Sequence, residues 1–155
     1  MTFILGKESK TKLKEVHPDL AKVVEGAIKI TKVDFCVEEG LRSVERQKKL
    51  VASGASQTMN SRHLTGHAVD LIALVGTQKR WDWPLYYSIA KAMKTAAIDL
   101  KINIRWGGVW DKLLNDCKDP EAEVMQYVTR EKLRMKKRVF IDGPHFELSW
   151  ADYPK

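Results

Sequence analysis

Cysteine is nearly missing from this chain: Cys36 and Cys117 are the only two in 155 residues, and no CxxC spacing exists. A cysteine-rich metal site and a disulfide-stapled scaffold are excluded, and two reduced, structural thiols are expected. Proline- and serine-rich tracts are also absent, as are internal repeats, so one continuous domain is expected rather than modules on linkers. No apolar run approaches the roughly 20 residues needed to span a bilayer. Residues 1–6 are too short for a signal-peptide core and run into charges, so no secretion signal is expected.

What is present suits a soluble globular domain with a proper core: 44% of residues are hydrophobic and 30% charged. The net charge of +7 and the pI near 9.4 favour a polyanionic partner. Nucleic acid, teichoic acid, lipopolysaccharide and peptidoglycan carboxylates all qualify. Much of the excess lies at 132–138, where a solvated helical face is expected.

His17-Pro18-Asp19 predicts a helix start, with His17 as a cap and Leu20, Val23, Val24, Ala27 and Ile28 as the buried stripe. A strand over 33–37 follows, closed by Glu38-Glu39-Gly40. Ser43 then caps a helix to about Val51, stopped by Gly54. Arg42 stands where strand gives way to helix, a place that often faces a cleft. A strand is expected over 67–75 and a loop over 76–80. Next comes a long helix with Leu85, Ile89, Ala92, Met93, Ala96 and Leu100 inward. Residues 102–106 read as a strand ended by Gly107-Gly108, which permit a sharp turn or close approach. Trp106 and Trp110 flank them, either walling a substrate cleft or packing in the core. Residues 111–138 read as an inserted, loosely packed basic helix with a thin stripe of Val124, Tyr127, Val128 and Leu133. In the last strand, His145, Glu147 and Ser149 share one face and Phe146, Leu148 and Trp150 the core face.

The stretch Ser61-Arg62-His63-Leu64-Thr65-Gly66-His67-Ala68-Val69-Asp70 concentrates metal-competent groups ahead of an apolar run. Gly66 makes a helical HxxxH pair over 63–67 costly. On a strand, His67 and Asp70 point to opposite faces. His17 belongs to a helix start, which leaves His63, Asp70 and His145 as a candidate zinc triad, each at the mouth of a strand. Such a site keeps its fourth position for water. It also needs a base that is not a ligand, for which Asp142 and Glu147 compete.

These residues carry a resemblance. Ser61-x-His63-x-x-Gly66-x-Ala68-x-Asp70 with the distant Asp142-x-x-His145 resembles the signature of the zinc D-alanyl-D-alanine carboxypeptidase and L-alanyl-D-glutamate peptidase family, nearest its bacteriophage endolysins. Gly40-Leu41-Arg42-Ser43, Trp106-Gly107-Gly108 and His145-Phe146-Glu147-Leu148 resemble further family segments. Val109 departs from the acid that many phage members carry after Trp-Gly-Gly, and 111–138 is longer than the usual connection.

The resemblance implies an α+β fold of the Hedgehog/DD-peptidase kind, with a small antiparallel sheet bearing the metal site and helices around it. It implies a single catalytic domain over 1–155, with the basic insertion at about 111–138 and no separate wall-binding domain. His63, Asp70 and His145 would hold Zn2+, and Asp142 would be the base. Arg42 would bind a substrate carboxylate or polarise the scissile carbonyl. Gln47, Ser61 and Trp106 would position the peptide, with His67 and Glu147 behind the ligands. The implied activity is hydrolysis of the L-alanyl-D-glutamate bond of peptidoglycan stem peptides for host lysis; D-alanyl-D-alanine trimming is the alternative. A monomer is expected, without membrane insertion, made in the host cytoplasm and reaching the wall through a separate holin. The distant rival, a basic nucleic-acid-binding module without catalysis, finds no helix-turn-helix or RNA-binding motif to support it.

Overall fold

The apolar run after Asp70 becomes the spine of the sheet. In the computed structural model, which describes residues 2–135 and 138–154, β2 (Ala68–Val75) pairs with β1 (Asp34–Glu39) along one edge. Its other edge carries β5 (His145–Leu148) at one end and the short β3 (Gln78–Arg80) at the other. β4 (Ile104–Trp106) closes the sheet beside β5, giving the order β1-β2-β5-β4 with every pairing antiparallel. The architecture is α+β, as expected.

Register sorts the side chains. Directly opposed residues of an antiparallel pair share a face, and successive residues alternate. Glu39, Asp70 and His145 therefore form one polar row across three strands, with Arg105 opposite Glu147 in the next row. Between them Val69, Phe146 and Trp106 point the other way, and all three are fully buried. One face of the sheet carries the chemistry and the other the core.

Helix α2 (Pro18–Ile30) packs against α4 (Trp83–Leu100), which lies on the sheet's apolar side. His17 caps α2 as expected, its Nδ1 accepting the Asp19 N–H at 3.0 Å. The expected α2 stripe is buried throughout. In α4, Ile89 and Met93 are fully enclosed, each worth about 1.5–3 kcal/mol of burial. Leu100 is 42% exposed, contrary to expectation; Ala97 takes its place, because the helix outruns the core and stops at the left-handed Lys101.

Three short elements were not expected. Helix α1 (Lys7–Leu13) buries only Ser9 and Leu13, too little for an apolar period, yet Ser9 Oγ accepts the Val37 N–H at 2.9 Å. The loop read at 76–80 contains β3, reached by a turn at Gly76 with φ +64°. A 3-10 turn spans Arg62–Thr65, short enough to end at Gly66, whose φ is +73°. Helix α3 (Val44–Ala52) follows the Ser43 cap as expected, and both cysteines are free.

The 111–138 stretch forms a 3-10 turn at Leu114–Asp116 and helix α5 (Pro120–Met135). Val124 and Tyr127 are buried, and ion pairs from Arg130 to Asp111 (2.9 Å) and Lys112 to Glu123 (2.8 Å) secure it. The stripe is as thin as expected, and Leu133, 74% exposed, is no part of it. Lys136 and Lys137 of the basic cluster lie outside the described residues. Among those described, no helix is long and apolar enough to cross a membrane.

Candidate active site

The polar row of the sheet meets the 3-10 turn at one point. His63 Nε2, Asp70 Oδ1 and His145 Nδ1 offer donor atoms that lie within 4.8 Å of one another. Asp70 Oδ1 is 3.2 Å from His63 Nε2 and 3.4 Å from His145 Nδ1. Each ligand candidate is held from behind. His63 Nδ1 donates to the Gly40 carbonyl at 2.8 Å, which fixes the proton there and leaves Nε2 free to ligate. His145 Nε2 donates to Glu147 Oε1 at 2.7 Å, which turns Nδ1 inward. Asp70 Oδ2 accepts from Arg42 Nη2 at 3.4 Å. Ser61 Oγ accepts the His63 N–H at 3.2 Å and so sets the turn. Two imidazole nitrogens and a carboxylate oxygen, each oriented from outside, fit a first-row divalent ion.

Electrostatics agree. Burial alone would raise the Asp70 carboxyl, but the His63 charge and hydrogen bonds from both histidines hold it far below the ordinary range. Burial works against a charged His145, yet Asp70 and Glu147 outweigh it and raise its pKa to about 10. A proton and a metal compete for the same Nδ1 lone pair. Metal uptake near neutral pH is therefore expected to release about one proton. Apparent affinity should climb as pH rises from the ordinary imidazole value of 6.5 toward about 10, because the competing proton is lost. Calorimetry in buffers of different ionisation enthalpy counts that proton; a count of zero contradicts the assignment.

Asp142 stands beside the triad without belonging to it. Its turn is clasped by the end of β4: the Asp142 N–H donates to the Gly107 carbonyl and the Gly107 N–H to the His145 carbonyl, both at 2.8 Å. Trp106 Nε1 donates to the Gly143 carbonyl at 2.7 Å. A side chain on Gly107 would collide with the Asp142 carbonyl oxygen, so this position needs glycine. Gly107→Ala is expected to lower activity by about tenfold or more, since misplacing a reacting group by an ångström costs up to about 10²-fold. Metal content should be kept; an unchanged kcat would show that the clasp does not position Asp142. Burial, then the Asp70 charge, pushes the Asp142 carboxyl above its ordinary pKa, against the pull of His145, His63 and Arg42.

Arg42 is fixed by Glu39, whose Oε1 accepts from Nε at 3.0 Å, and by Gln47, whose Oε1 accepts from Nη1 at 2.7 Å. Three expected roles change. Gln47 is fully buried beneath Arg42, with its amide donating to Ser56 Oγ, so it positions the arginine and the 56–58 loop rather than touching peptide. Trp106 is fully buried and stacked on Phe146, so it does not wall the cleft; Trp110 does. His67 does not back the ligands: its ring packs 5.5 Å from His17, with Nδ1 2.7 Å from Thr65 Oγ1. Glu147 sits behind His145 as expected. Trp150, expected on the core face, lies 4.1 Å under the Arg62 guanidinium because β5 ends at Leu148.

The triad and Asp142 line a cleft of about 770 Å³. Arg42, Arg46 and residues 55–58 line it too, as do Trp110, Tyr127 and Arg134 from the insertion and its approach. Glu39, which anchors Arg42, is the residue here to which the sequence reading gave no role. Trp110 and Gly107 take up roles that reading left open, a cleft wall and a close backbone approach.

Residues 1–149 match the family described as phage L-alanyl-D-glutamate peptidase. The chain belongs to that family. It is 30% identical to the L-alanyl-D-glutamate peptidase of Escherichia phage T5, over 96% of this chain and 99% of that one. It is 37% identical to the Listeria phage A118 enzyme of the same name, over 78% of this chain but 32% of the longer relative. The crystal structure of the Serratia marcescens L-Ala D-Glu endopeptidase ChiX superposes with a TM-score of 0.74 at 38% identity, covering 98% of this chain and 95% of that one. The family resemblance read from the sequence motifs therefore holds across the fold.

Proposed function

We propose that the chain is a zinc-dependent endolysin that hydrolyses the L-alanyl-D-glutamate bond of peptidoglycan stem peptides. The observation that carries this reading is the convergence of His63, Asp70 and His145 in a member of this peptidase family. A zinc ion on the triad would supply Lewis acidity toward the scissile carbonyl and lower the pKa of a water in the cleft.

The chain's own residues do the rest. Asp142 accepts the proton of the attacking water and passes it to the leaving amine, a task suited by its raised proton affinity. Arg42, held rigid by Glu39 and Gln47, presents its guanidinium to the developing oxyanion or a substrate carboxylate. Glu147 keeps the His145 proton on Nε2. Ser61 lines the cleft and meets the peptide there. The described fold acts as one catalytic domain, with α5 as a cleft wall.

In this reading the enzyme works as a monomer, gathers in the host cytoplasm and depends on a separate holin to reach the wall. Mass spectrometry of digested peptidoglycan tests the bond assignment. New D-glutamate amino termini are expected, whereas release of D-alanine alone would assign carboxypeptidase activity instead.

A further inference from the structure

Two residues that line the cleft hold buried donors without partners. Among the described residues, Arg62 Nε, Arg62 Nη1 and Trp110 Nε1 are buried with no hydrogen-bond partner, and both residues line the cleft. The one other such atom, Glu123 Oε2, has Lys112 Nζ 2.8 Å away. An unmet buried donor costs about 1–3 kcal/mol. Three on the lining of one cleft point to an acceptor that comes from outside the chain.

Their surroundings favour a negative one. Arg62 is only 3% exposed. Its Nη2 donates to the carbonyls of Leu148, Ser149 and Tyr153, which fixes the guanidinium and leaves its other nitrogens over. Trp110 lies 5.3 Å from the His145 ring and stacks on Phe140. Arg105 donates to the Trp110 carbonyl and stands 3.7 Å from Glu147 Oε2. Two guanidinium groups thus share one carboxylate, Glu147, which is already engaged by His145. The excess positive charge sits at the β4 side of the triad, whereas Arg42 at the β1 side is satisfied by Glu39, Gln47 and Asp70.

We propose that Arg62, Arg105 and Trp110 form a carboxylate subsite beside the triad, which takes the free second carboxyl of the substrate's D-glutamate. This rests on the peptidase reading above. A glutamate joined through its amine carries two carboxyls, and at most one of them continues the chain. The other lies a few bonds from the scissile nitrogen, as the subsite lies beside His145.

Two synthetic stem peptides test it, identical except that this carboxyl is free in one and amidated in the other. The zinc-loaded full chain is expected to favour the free acid by about tenfold in kcat/KM, carried mainly in KM, as a charged hydrogen-bonded pair warrants. Arg105→Gln should bring the acid-to-amide ratio toward unity, and Arg105→Lys should restore part of it. Trp110→Phe should raise KM for the acid more than for the amide, because a donor bonds a carboxylate more strongly. Comparing two peptides within one variant cancels any damage passed to His145 through Glu147. Equal kcat/KM for both peptides in the unaltered protein, or an acid preference untouched by either Arg105→Gln or Trp110→Phe, overturns the subsite and leaves the peptidase assignment standing. Failure of the unaltered protein to cut either peptide overturns both.

Discussion

Asp142→Asn is expected to lower kcat by about 10²–10⁴-fold, the usual contribution of a general base, with metal content unchanged. The substitution keeps the side chain's size, and the clasp on its turn runs through backbone groups of Gly107 and His145. Only the proton acceptor is lost. In the unaltered protein, burial and the Asp70 charge raise the Asp142 pKa, so activity should rise with pH through a limb above the ordinary carboxylate value of 3.8. That limb should vanish in Asp142→Asn. Glu147 cannot readily substitute, because its Oε1 is bound to His145 at 2.7 Å. Full turnover in the variant would show that the proton goes elsewhere.

Removing a ligand candidate is expected to be more severe still. His63→Ala takes one of three donor atoms from the triad. It should abolish stoichiometric metal binding and lower activity by more than about 100-fold, since loss of a group merely hydrogen-bonded behind a ligand already costs 10–100-fold. His67→Ala, four residues on, is the matched control. Its ring packs on His17 and bonds Thr65, so metal content should survive. Equal metal loss in both variants would contradict the assignment.

The contrast between these two histidines marks what a sequence can reveal. Strand alternation set His67 apart from Asp70; in the fold His67 lies just before β2 with its ring against His17, while Asp70 stands opposite His145 and Glu39. The buried stripe of α2 and the Ser43 cap were likewise visible, because each is a local rule. Roles set by tertiary packing were not. Trp106 and Trp110 flank the same two glycines, yet one is core and the other cleft, a difference decided by where Phe146 and Phe140 lie. Gln47 has no local signal for burial; it is drawn under Arg42 by hydrogen bonds to groups up to eleven residues away. Helix α1 escaped notice because it buries a single apolar side chain, Leu13, and is tied to β1 by the Ser9 hydroxyl and the Lys12 ammonium rather than by an apolar stripe.

The most direct test is a zinc titration of the metal-depleted protein, with hydrolysis of a defined L-alanyl-D-glutamate peptide as the readout. Activity should be near background without metal, rise linearly and level off at about one zinc per chain, as a single three-ligand site requires. Cleavage that is independent of added zinc, or none at saturating zinc, would contradict the assignment of His63, Asp70 and His145 as the catalytic metal centre.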